Sequence, residues 1–79
     1  MESIVLETNN KGKPLIVLTI ESNMYLDQIL TIYYNKPNGL RQIVCSTVNY
    51  ERNHKTNAEC IAWANDRVVG FKKTQNVKN

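Results

Sequence analysis

His54, Cys45 and Cys60 are the residues of this 79-residue chain best suited to chemistry. A single histidine can hold or pass a proton, but His54 stands in the polar run Tyr50–Lys55 with no second histidine to work against. Read as metal ligands, the three give Cys-x8-His-x5-Cys. That spacing lacks the close pairs by which one turn supplies two ligands, so no metal site is read. Cys60 falls in the first turn of a helix expected from Thr56, where the dipole favours a thiolate. It also falls on that helix's apolar stripe, where burial favours an inert thiol. Glu2, Glu7, Glu21 and Asp27 are scattered and form no convergent carboxylate pair, and the three glycines are too far apart for a phosphate loop. The reading is therefore of a protein that binds and does not catalyse, with no cofactor.

The elements that position any binding residues follow from local pattern. Ile4–Thr8 is a short β-branched run that ends in Asn9-Asn10-Lys11-Gly12-Lys13, a loop signature. Leu15–Ile20 is a continuous apolar run of strand length, broken by Glu21-Ser22-Asn23. Met24–Asn35 has helical spacing at Leu26, Ile29, Leu30 and Tyr33. Its β-branched and aromatic end, Thr31-Ile32-Tyr33-Tyr34, and the turn Lys36-Pro37-Asn38-Gly39 favour a strand. A type I turn with a glycine bulge there pairs Ile32 with Val44, Leu30 with Ser46 and Leu26 with Tyr50 on one face. On the other it pairs Tyr33 with Ile43, Thr31 with Cys45 and Ile29 with Thr47. The even positions Leu26, Leu30, Ile32, Tyr34, Val44, Val48 and Tyr50 are the more apolar, so they are assigned to the core.

Thr56-Asn57-Ala58-Glu59 matches a capping box and starts a helix whose stripe is Cys60, Ile61, Ala64 and Val68, with Trp63 at its edge. Asp66–Phe71 fits either an extension of that helix or a last short strand. The fold class is α+β, an antiparallel β-meander of about four strands with one C-terminal helix packed on one face. One small domain over residues 1–73 is expected, followed by a flexible tail over 74–79.

Composition narrows the setting. The chain is 42% hydrophobic and 22% charged, with net charge +3, as a folded globular domain would be. No apolar run approaches the roughly 18–20 residues of a membrane span, and no leader pattern opens the chain. A soluble cytoplasmic protein with no membrane partner is expected, its two thiols reduced. The basic residues concentrate after residue 40, where Arg41, Arg52, Lys55, Arg67, Lys72, Lys73 and Lys78 outnumber Glu51, Glu59 and Asp66. Eleven asparagines, with many Ile, Lys and Tyr, point to an AT-rich coding sequence of the kind phages and mobile elements carry.

Two sets of residues emerge as binding candidates. Tyr25, Ile29, Tyr33, Arg41 and Ile43 form an aromatic and aliphatic outer face with one guanidinium, the composition of an interface hot spot. Lys36, Arg41, Arg52, Lys55, Arg67, Lys72 and Lys73 form the alternative, a nucleic-acid surface. The stretches Leu30–Asn35, Pro37–Arg41 and Thr56–Trp63 resemble the strand, turn, strand and capped helix of the arm-type DNA-binding domains of tyrosine recombinases, over about half the chain. That resemblance implies a three-stranded sheet in a major groove, with Lys36, Arg41, Arg52 and Lys55 on phosphates and base edges. Here the sheet face is less basic and the connection to the helix is longer.

The favoured expectation is a small non-catalytic binding protein of phage or mobile-element accessory type. It would dock on a host protein or ribonucleoprotein complex and inhibit or adapt it, as anti-CRISPR proteins do. A DNA- or RNA-binding domain using the sheet face and the basic C-terminal half is the alternative. A second copy, forming a homodimer, is a further candidate partner for the outer face.

Overall fold

Three short loops of one design set the architecture. In a computed structural model that describes residues 1–75, they join the strands β1 (Glu2–Thr8), β2 (Pro14–Ser22), β3 (Gln28–Asn35) and β4 (Arg41–Asn49). In each loop the first residue's N–H donates to the fifth residue's carbonyl, and the fourth residue's N–H donates to the first residue's carbonyl. The first residues are Asn9, Asn23 and Lys36. The fourth residue takes positive φ: +79° at Gly12, +64° at Leu26 and +90° at Gly39. This is a type I turn closed by a left-handed residue, which returns the chain antiparallel to the strand it has just left. Repeated three times, it gives one four-stranded sheet in the order β1-β2-β3-β4.

The helix α1 (Asn57–Gln75) crosses one face of that sheet. Its start is capped as the sequence predicts: Thr56 Oγ1 accepts from Glu59 N at 3.2 Å, and Glu59 Oε1 accepts from Thr56 N at 2.9 Å. Asp66–Phe71 continues the helix. Nothing at Asn65-Asp66 breaks it, and Val68 is buried against the sheet, so packing outweighs the weak helix propensity of the valine pair. Residues 74 and 75, expected in a tail, are still helical, and the rest of that expected tail lies outside the described residues. Small residues on the stripe, Cys60 and Ala64, let α1 lie close on Ile16, Leu18, Leu30 and Ile32, and these form the core. The helix is fastened to β1 near both ends, by Asn57 Nδ2 to Glu2 Oε2 at 3.0 Å and by Lys72 Nζ to Glu7 Oε1 at 2.7 Å.

Two irregularities correct the expected register. The pairs Tyr33–Ile43, Tyr34–Gln42 and Asn35–Arg41 follow the turn, but a bulge at Val44 then shifts the ladder by one, so Ile32 faces Cys45 and Leu30 faces Thr47. Val48, assigned to the core, therefore points away from α1, and Thr47, assigned to the outer face, points toward it. β3 begins only at Gln28, so Leu26 and Tyr50 do not pair. Both lie exposed instead of in the core, because Leu26 occupies a turn and Tyr50 begins the connection to α1. That connection holds one 3-10 turn, Glu51–Asn53. A pair of bulges between β1 and β2 sets Glu7 opposite Ile16 on the helix side, and this is how it meets Lys72.

Candidate functional site

The face of the sheet away from α1 carries no second layer among the described residues. Cross-strand pairing lays two rows over it, each running through all four strands. One row is hydroxylic: Ser3, Thr19, Thr31 and Ser46. Thr31 Oγ1 and Ser46 Oγ lie 3.2 Å apart, and Thr19 Oγ1 donates to the Thr31 carbonyl at 3.4 Å, which satisfies these polar groups within the sheet. The other row is apolar: Val5, Val17, Tyr33 and Ile43. Its inner member Val17 is buried between neighbouring strands, while the edge residues Val5 and Ile43 remain exposed.

Arg41 stands over this apolar row. Its guanidinium carbon lies 4.6 Å from the Tyr33 ring centroid, and its Nε donates to Asn35 Oδ1 at 3.0 Å. The charge is thus held on the face in a defined position. Of the predicted docking residues, Ile29, Tyr33, Arg41 and Ile43 share this face, with Val48 beside Ile29. Tyr25 does not: its sequence pattern predicts a strand, but the Asn23–Asp27 turn removes it from the sheet, which resumes only at Gln28. Val5 and Val48 belong to the face and were missed. Val5 sits in an unbroken apolar run whose alternation is invisible, and Val48 is turned outward by the bulge.

Tyr25 belongs instead to an apolar loop tip. Met24, Tyr25 and Leu26 are 84%, 73% and 56% exposed, and Tyr50 in the β4–α1 connection is 66% exposed. Asn23 Oδ1 accepts from Tyr25 N and Asp27 N, and His54 Nε2 donates to the Leu26 carbonyl at 2.7 Å, so the tip is braced from both sides. His54 is exposed, as expected, and its role here is this hydrogen bond.

The seven bases of the alternative set do not form one surface; all but Arg67 divide between the two ends of the sheet. Lys36 and Arg41 lie where β3 turns into β4, and Lys72 and Lys73 close the far end of α1, near Glu7 and Tyr34. Arg52 and Lys55 lie at the opposite end of the sheet, where Lys55 meets Gln28, and Arg67 lies between. Arg67 lines a groove of about 510 Å³ between β4 and the C-terminal half of α1, together with Val44, Cys45 and Phe71.

Both cysteines are free thiols. Cys60 is buried, and burial pushes its thiol up; the Lys55 charge opposes this and the Glu59 and Glu2 charges reinforce it. Cys45 is half-buried on the groove wall. Among the described residues no group of three His, Cys, Asp or Glu side chains could hold a metal ion, and no helix is long and apolar enough to cross a membrane. The chain matches no family model, no curated protein and no solved structure.

Proposed function

We propose that this protein is a small non-catalytic binding module that docks on a larger protein or ribonucleoprotein through the open face of its sheet. In a phage or mobile-element setting its effect on the host complex would be to inhibit or adapt it. The observation that carries the reading is the apolar row Val5–Val17–Tyr33–Ile43 with Arg41 stacked on Tyr33, on a face without a covering layer among the described residues. An aromatic and an arginine set among aliphatic residues is what supplies most of the energy at protein interfaces. The partner it fits presents an apolar patch with a carboxylate near its centre, to meet Tyr33, Ile43 and the guanidinium.

The experiment is affinity capture on immobilised protein, followed by titration of the captured partner against the Tyr33→Ala, Arg41→Ala double variant. Affinity for the parent chain should change little with salt, since an apolar face drives it, and the folded double variant should lose binding at least a hundredfold. Unchanged affinity of the double variant would refute the assignment of this face.

A further inference from the structure

The meander sorts charge by loop. The β1–β2 and β3–β4 loops lie side by side at one end of the sheet, joined by Asn35 Nδ2 donating to the Pro14 carbonyl at 3.1 Å. The end of α1 reaches the same pole, where Phe71 packs on Tyr34 and Lys72 pairs with Glu7. Among the described residues this pole gathers Lys11, Lys13, Lys36, Arg41, Lys72 and Lys73 against the single acid Glu7, which Lys72 already neutralises. The other pole holds Glu2, Glu21, Asp27, Glu51 and Glu59 against Arg52 and Lys55. A net charge of +3 conceals a molecule that is strongly basic at one end of its 41 Å length and acidic at the other.

At the basic pole the two loops enclose a notch of about 530 Å³ lined by Asn10, Lys11, Lys13, Asn35, Lys36 and Pro37. Its walls are preset. Asn9 Oδ1 accepts from the backbone of Lys11 at 2.8 Å and Lys13 at 3.0 Å, and Lys36 N donates to the Leu40 carbonyl at 2.8 Å, so the lysine backbones are fixed before any ligand arrives. We infer that this notch, with Arg41 at its margin on Asn35, binds the phosphodiester backbone of a nucleic acid strand. Ammonium and amide donors with no acid and no aromatic among them are what phosphate oxygens require. A protein partner would draw its energy from aromatic and arginine anchors on an apolar face, which the open sheet face supplies, whereas the side chains that carry charge into this notch are lysines. The notch and the docking face meet at Arg41, and the lysine substitutions that test the notch leave Tyr33 and Arg41 in place, so the two assignments fail separately.

The test is a titration of the full chain into a labelled 20-base-pair DNA duplex and a labelled 20-nucleotide RNA, at 50 and 200 mM salt. With about four phosphates neutralised, log affinity should fall against log salt with a slope of about −4 on the duplex, and on the order of a hundredfold or more between the two salts. A 20-nucleotide DNA of one duplex strand, added as a third probe, separates strandedness from sugar. Replacing Lys11, Lys13 and Lys36 together by Gln should weaken binding at 50 mM salt at least tenfold and flatten the slope by about 3. Arg52→Gln with Lys55→Gln, at the other pole, should leave affinity within twofold, and circular dichroism would confirm that both variants are folded. No binding at 50 mM salt would overturn the inference, as would an equal loss in the two variants. Poly-glutamate that competes as well as unlabelled duplex at equal charge would also overturn it, in favour of an acidic protein.

Discussion

The guanidinium of Arg41 stands 4.6 Å from the centroid of the Tyr33 ring, across two strands whose register at that point is set by the turn between them. Cation and ring are fixed together because Asn35, directly opposite Arg41, accepts from its Nε. A contact of this kind at a half-exposed site contributes about 0.5–1 kcal/mol. The Tyr33→Ala, Arg41→Ala double variant should therefore stay folded, with an unfolding free energy lower by about 1–2 kcal/mol in a urea titration. A loss above about 4 kcal/mol would mean that this face is structural packing.

The three loops form an internal comparison. Two place glycine at the left-handed position and the third places Leu26 there, where an L side chain costs about 1–2 kcal/mol. Leu26→Gly should raise thermal stability by several degrees, because the exposed side chain gives up little burial. Gly39→Ala should lower stability by about 1 kcal/mol although a Cβ there meets nothing within 4 Å, since the penalty is in φ. Gly70 is equally open but lies inside α1, so Gly70→Ala should stabilise by about 0.5–1 kcal/mol.

The core and the ion pair should respond on different scales. Ile32 is fully buried, and Ile32→Ala should cost about 2–5 kcal/mol by leaving a cavity under α1. Glu7→Gln removes a solvent-accessible ion pair with Lys72 and should cost less than about 1 kcal/mol. Equal losses in chemical denaturation would contradict this account of what holds the helix down.

The two thiols should be distinguishable by reagent and by pH. Ellman's reagent should modify Cys45 in the native protein and reach Cys60 only on unfolding. Because burial raises the Cys60 thiol in the folded state, both states keep it protonated below about pH 8.5, the ordinary thiol value, and its contribution is flat there. Above that, the unfolded chain ionises first and stability falls as pH climbs toward the folded-state value. Cys60→Ala should remove that part of the alkaline decline, read as the difference between the two pH profiles.

Much of the fold is legible in the sequence because the signals are local. The Lys36–Gly39 turn, the Thr56–Glu59 capping box and the Leu15–Ile20 run each specify their own element, and the sheet and helix follow. What escapes is what depends on one unpaired residue. The bulge at Val44 has no composition cue, yet it reverses the faces of Thr47 and Val48. The Asn23–Asp27 turn is hidden because Leu26 fills a position where glycine would have announced it. The face residues Ile29, Tyr33, Arg41 and Ile43 were legible from alternation alone. The charged poles were not, because a count along the chain separates Lys11 from Lys36 and Lys73, and only the antiparallel topology brings those ends together.

The most direct test of docking through the open face is site-specific photo-cross-linking, with a benzophenone side chain placed either at Ile43 or at Ala62 on the exposed side of α1. Docking through the sheet predicts an adduct with a larger protein from position 43 and none from position 62. An adduct from position 62 alone, equal adducts from both, or a product of twice the 9.1 kDa chain mass from position 43 would contradict it.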